Sequence, residues 1–184
     1  MRFSENRKLA FAVLAVCVIV SIFGLGGMGL ARERGKVLAV YDRGADTSLA
    51  TRHSVDAYLD TAAQNAALMA SEAGLHMDAS PLIDNVAQLG QKVASEENTF
   101  ARNEAFTALK TAVDQLYDAM YKAAKGDDFK NFKVAYDNFW ENANMIKYDE
   151  YPKLAAAYNG LISGIPGSLV ATVTGQGALA TFGG

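Results

Sequence analysis

Two histidines, one cysteine and two groups of acidic and aromatic side chains are the residues of this chain with the chemistry to act on another molecule. His53 falls on what reads as a helix, and His76 in the loop after it. A metal site asks for ligands at helical or hairpin spacing, such as His-x-x-x-His or Glu-x-x-His. His53 and Asp56 are three apart but stand alone, so both histidines read as surface residues. Cys17 has no second cysteine to pair with, and it lies inside an apolar run rather than after one, as a lipid-acylated cysteine would. It reads as a lipid-facing apolar side chain. There is no Gly-x-Ser-x-Gly, no phosphate-binding loop and no Cys-x-x-Cys. No catalytic residue, metal ligand or cofactor is therefore assigned.

Asp56 and Asp60 sit one helical turn apart. As like charges they repel unless Arg52 pairs with Asp56 at i,i+4, and they read as a solvated helix face. Tyr148, Asp149, Glu150 and Tyr151 precede Pro152. An aromatic and acidic break in a helix is the best place for a ligand cleft, with Asn138, Asn142 and Asn144 adding polar groups. The simpler expectation is that Asp149 caps the segment restarting at Pro152. Tyr158 and Asn159 form the next pair. Asparagine is unfavourable in a helix interior, so its amide is expected to tie the tail or the break into the fold. The candidate binding or structural residues are thus Tyr148, Asp149, Tyr151, Tyr158 and Asn159.

These residues must be held by helices. Of the 184 residues, 51% are hydrophobic and 20% charged, and net charge is −3. The stretch to Ala31 carries +2 and the remainder −5, which gives no electrostatic reason to bind nucleic acid. Leu9 to Ala31 is a run of 23 residues without a charge. As a helix it spans roughly 34 Å, against about 30 Å of bilayer hydrocarbon. It is read as a membrane anchor. A cleaved signal peptide is the rival, because Gly29-Leu30-Ala31 offers small residues for cleavage. Basic residues flank the run on both sides: Arg2, Arg7 and Lys8 before it, Arg32, Arg34 and Lys36 after it. The expected orientation leaves the short N-terminus inside and the domain outside the cell membrane. Gly24, Gly26, Gly27 and Gly29 sit within the run and give only weak evidence of helix pairing.

Beyond the anchor, helical spacing dominates. Asp46-Thr47-Ser48 is expected to cap a helix reaching Ala73, with Val55, Leu59, Ala62, Ala66, Met69 and Ala73 as its stripe. Ser80-Pro81 marks the start of a second helix carrying Leu82, Val86, Leu89 and Val93. A third covers about Thr99 to Lys125 and ends at Gly126. A fourth opens at Asp127-Asp128 and carries Phe129, Phe132, Tyr136, Phe139 and Ile146. Its large side chains predict a place at the centre. The expected fold is all-α: an N-terminal transmembrane helix, then an antiparallel bundle of about four helices, the last broken near Pro152. The expected divisions are a tail (1–8), anchor (9–31), juxtamembrane segment (32–47), bundle (48–165) and an apolar, glycine-rich C-terminal tail (166–184) with one short helix.

Tyr158-Asn159, Leu161, Ile162, Pro166, Leu169, Val170, Gly175 and Phe182 resemble the carboxyl-terminal signature of LemA-like proteins. Tyr41-Asp42-Arg43-Gly44, followed by the polar helix from Ser48, is similar to the region after the family's membrane helix. The Arg-Arg-x-x-Leu-Ile-Pro-Asn-Leu segment of typical members has no counterpart. The chain therefore resembles a shorter, divergent LemA-related group of bacterial envelopes. The resemblance implies a short cytoplasmic tail, one membrane helix and a helical domain, with no catalytic residues to carry over.

The leading expectation is a non-enzymatic, membrane-anchored envelope protein of LemA-like type. Its bundle would serve as an interaction or assembly module, with the membrane, an unidentified protein or a second copy as partners. The alternative is a small-ligand-binding sensor domain acting with a partner subunit, an analogy of architecture only.

Overall fold

The computed structural model describes residues 7–47, 50–51, 53–78, 80–123 and 126–183. Helix α1, Arg7–Arg43, is 37 residues long. The composition changes sharply at Arg32, but no proline stops the helix, Lys36 pairs with Glu33 at 2.5 Å, and Val37 and Tyr41 are buried. The expected juxtamembrane segment is thus mostly a continuation of the anchor helix. Asp46–Thr47 (β1) and Ala50–Thr51 (β2) form a minimal antiparallel hairpin, with Asp46 opposite Thr51 and Thr47 opposite Ala50. Everything else regular is helical: α2 Val55–His76, α3 Pro81–Ser95, α4 Thr99–Ala123, a 3-10 turn Gly126–Phe129, α5 Lys130–Tyr148, α6 Tyr151–Ser163 and α7 Gly167–Thr174.

The caps explain most of these limits. Ser54, rather than Asp46-Thr47-Ser48, caps α2: its hydroxyl accepts from Ala57 N at 3.1 Å. The expected cap is displaced because Asp46 and Thr47 are used in the hairpin, and Ser48 lies outside the described residues. Ser80 caps α3 as expected, with Pro81 at the first helical position, where it has no amide to waste. Asn98 caps α4, its Oδ1 accepting from Phe100 N at 3.0 Å and Ala101 N at 3.1 Å. The expected role of Asp127 and Asp128 concerns side chains outside those described.

The chain packs as two compact units. The first takes in the described residues up to Leu38 together with Leu154–Leu179; the second takes in Ala39–Lys153 and the described residues from Ala180 onward. The expected bundle at 48–165 is therefore cut differently, with α1 and α6 each contributing to both units.

The second unit is a four-helix bundle of α2 to α5. Its short connections make successive helices antiparallel. Helix α2 packs broadly on both α3 and α5 and also touches α4, so it holds the central place expected of the aromatic helix α5. Its small buried residues, Ala62, Ala63, Ala66 and Ala73, permit this. Gly90 extends the effect on α3, where an added Cβ would stand 3.4 Å from Ala63 O. Helices α4 and α5 stand farther apart, and aromatic rings span the gap. Phe106 meets Phe139 with centroids 6.2 Å apart, and Tyr117 meets Tyr136 at 4.1 Å.

In the first unit, α7 lies over a bare stretch of α1. A Cβ at Gly26 would meet Val170 Cγ1 at 3.4 Å, and one at Gly27 would meet Thr174 Cγ2 at 2.6 Å. The apolar run of α1 is otherwise open, with Phe11, Leu14, Val16, Ile19, Val20 and Leu25 exposed. Only 6% of its most apolar window is covered by the protein, so that stretch of α1 is not part of a core. It is long and apolar enough to cross a membrane.

Candidate functional site

The most polar buried locus is one that the sequence does not announce. Arg102, on the first turn of α4, is 6% exposed. Its guanidinium donates four hydrogen bonds. Nε donates to Val93 O at 2.7 Å, at the end of α3. Nη1 donates to Tyr41 Oη at 3.1 Å, at the end of α1, and to the Asp56 carboxylate. Nη2 donates to Asp60 Oδ1 at 2.6 Å. Burial by itself would favour loss of the proton. The Asp56 hydrogen bond, together with the nearby Tyr41, Asp56 and Asp60, outweighs it, and the pKa of Arg102 is raised. The two aspartates that read as a repelling pair are thus neutralised by a distant cation in place of Arg52, which lies outside the described residues. Tyr41, Asp42, Asp56, Asp60, Glu96 and Arg102 border an acidic concavity of about 420 Å³. With four of its five N–H groups engaged, the fork joins α2, α3, α4 and the end of α1, a structural use of the charge.

Beside it lies an aromatic trio. Tyr41 packs on Tyr151 at 5.0 Å and on Phe182 at 5.7 Å, and Tyr151 meets Phe182 at 6.1 Å. All three are at most 5% exposed. One of the candidate residues, Tyr151, is therefore a core residue that holds the end of the chain.

The other candidates divide. Asp149 is 3% exposed and its Oδ1 accepts from Tyr151 N at 2.8 Å. This caps the restart at α6, with Pro152 in its first turn. Tyr148 points outward, 71% exposed, with Lys147 Nζ 5.9 Å from its ring. Asn138 and Asn144 are exposed, and Asn142 donates to Asn138 O. The break thus spends its buried polar groups on itself. In the first unit, Asn159 holds the backbone of Leu179 through two hydrogen bonds of 2.8 Å. Tyr158 is 2% exposed; its hydroxyl and Arg34 Nε are buried without hydrogen-bond partners among the described residues, and burial raises the Tyr158 pKa against the pull of Arg34.

On the outer face of α4 and α5, Tyr136 Oη at 3.0 Å and Trp140 Nε1 at 3.1 Å both donate to Asp114 Oδ1. His53 and His76 are exposed. Among the described residues no three His, Cys, Asp or Glu side chains are grouped to hold a metal ion.

Comparison with known proteins returns no family model, no curated relative and no solved structure that matches this chain.

Proposed function

We propose that this chain is a LemA-like envelope protein, anchored in the cell membrane by a single pass of α1 with its bundle outside, and that the bundle is a non-enzymatic interaction or assembly module. The observation that carries the reading is the division of labour in the bundle. The buried polar groups of Arg102 and Asp149 are spent on holding helices and caps. Among the side chains left outside, several large ones are apolar or aromatic: Leu68, Leu75, Tyr121, Val134 and Tyr148. Leu68 and Val134 line a groove of about 290 Å³ between α2 and α5, together with Asn65, Glu72, Asn131 and Asn138. Apolar side chains set among polar ones are the chemistry of a protein interface rather than of a reaction.

The family reading draws support from the signature residues. Tyr41 and Phe182 pack in the aromatic trio. Asn159 fastens Leu179. Gly175 ends α7 with φ +70°, a left-handed cap that favours glycine.

The test is photo-crosslinking in intact cells, from a diazirine side chain placed at Leu68 or Val134, with external protease treatment of the same cells. Discrete adducts at both positions, absent at Lys122, are expected, as is cleavage of the bundle from outside. Equal labelling at all three positions, or full protection of the bundle, would overturn the reading.

A further inference from the structure

Resting on the reading of α1 as a membrane anchor, we propose that the corner made by the end of α6, the turn after it and α7 is a second lipid-contacting element, embedded in the leaflet that holds the C-terminal part of the α1 run. Depth is the first argument. Val170 and Thr174 lie on Gly26 and Gly27, whereas a Cβ at Gly24 or Gly29 would meet nothing within 4 Å. From Gly27 to the end of the apolar run at Ala31 the helix rises only about 6 Å. A run that just covers the hydrocarbon thickness leaves Gly26 and Gly27 within it or at its edge. A helix packed side by side on them shares that depth.

The surface of the corner suits lipid. From Leu154 to the C-terminus there is no charged side chain. Leu161, Ile165, Leu169 and Val173 are 57, 87, 58 and 66% exposed. Hydroxyl groups are bonded to nearby backbone carbonyls, as a medium without water demands. Ser163, Thr172 and Thr174 hydroxyls donate to Gly160 O, Ser168 O and Val170 O at 3.0, 2.8 and 2.7 Å. The turn is closed in the same way: Ser168 N donates to Gly164 O, and Leu169 N and Val170 N to Pro166 O. With eight residues, about 12 Å, α7 is too short to cross, so it lies in the leaflet beside α1.

The full chain, carrying Cys17→Ser, is reconstituted in phosphatidylcholine–phosphatidylglycerol vesicles. Single cysteines at Ile165, Leu169 or Val173 carry an environment-sensitive fluorophore. Val20→Cys is the control for lipid and Lys36→Cys the control for water. Nitroxides carried along the lipid acyl chains are expected to quench the fluorophore at Val20 and at all three corner positions, while Lys36 keeps its emission. Quenching at Val20 with corner positions matching Lys36 would overturn the inference and leave the anchor standing. No quenching at Val20 would overturn both. Corner positions shielded from water and nitroxide alike, with copy-to-copy crosslinks, would replace lipid by a second copy of this chain. A lipid-soluble carbene probe on the cysteine-free chain repeats the test without labels in the corner. Label on residues 161–173 is expected; label confined to 9–31 would overturn the inference.

Discussion

The side-chain amide of Asn159 and the backbone of Leu179 exchange two hydrogen bonds, Nδ2 to the carbonyl oxygen and amide N to Oδ1, each 2.8 Å. One side chain on α6 thereby pairs both polar groups of a residue outside any helix or strand. Leu179 is 2% exposed, so water cannot replace the partner. Asn159→Ala is expected to cost about 1–3 kcal/mol, the penalty of leaving a buried amide and carbonyl unmade. The midpoint of urea unfolding checks it, and limited proteolysis should release the C-terminal segment earlier. An unmoved midpoint with unchanged proteolysis would show that Leu179 is held by packing alone.

Arg102 is the residue whose loss the bundle should feel most. Arg102→Met keeps the length of the side chain but leaves Asp56 and Asp60 facing each other and Val93 O unpaired. A cost of roughly 2–4 kcal/mol is expected, below the full penalty of a buried unpaired charge because the aspartate side chains are 41% and 48% exposed. Arg102→Lys keeps the charge and loses the fork, so it should recover only part of the loss. Asp56→Asn and Asp60→Asn should each cost less than Arg102→Met, because solvent screens their half-exposed carboxylates. Denaturant unfolding of the four variants supplies the comparison. Arg102→Met unfolding at the parent's midpoint would remove the cluster from any account of stability.

What could be read in the residues, and what could not, follows the range of the forces. The uncharged run from Leu9, the Ser80-Pro81 start and the Asp149 cap act within a turn or two of themselves, and each was legible. Asn159 was legible as a misfit, since an asparagine inside a helix asks for a partner, though not which one. The Arg102 fork joins residues 42 and 46 positions apart, and nothing local distinguishes Arg102 from a surface arginine on a polar helix. The central place of α2 was hidden for another reason. Large side chains suggested that α5 fills the middle, whereas alanines let α2 approach three neighbours while rings bridge the wide α4–α5 seam. The continuation of α1 past Arg32 was obscured because a change of polarity marks a change of environment, not a helix end.

The seat of α7 on α1 predicts a position-specific response among four neighbouring glycines. Gly27→Ala brings a methyl 2.6 Å from Thr174 Cγ2, closer than the two carbons can stand. Thr174 cannot simply rotate away, because its hydroxyl is bonded to Val170 O at 2.7 Å. The variant should loosen α7, seen as faster amide hydrogen exchange over 168–176. Gly24→Ala and Gly29→Ala, with open space at their Cβ positions, should leave exchange there unchanged. Thr174→Ser removes the clashing methyl and should restore protection in the Gly27→Ala background. Equal effects at Gly24 and Gly27 would mean that helix propensity, not the contact, is being measured.

Tyr136 sets an alkaline limit on the α4–α5 seam. Burial first, then its hydrogen bond to Asp114 and that residue's charge, pushes its pKa up to about 12 from an ordinary 10.0. The folded state therefore holds the phenolic proton more tightly than the unfolded chain. A raised pKa contributes stability that is fully present below pH 10 and lost as the pH climbs toward 12. Tyr136→Phe has no proton to lose. Its stability should fall less steeply than the parent's across that window, while the two run parallel at neutral pH. The parent's steeper fall should coincide with a change in the fluorescence of Trp140, whose indole shares the same Asp114 oxygen at 3.1 Å. Identical slopes for the two proteins from pH 10 to 12 would mean that Tyr136 ionises as freely folded as unfolded, and that the Asp114 bond does not hold its proton.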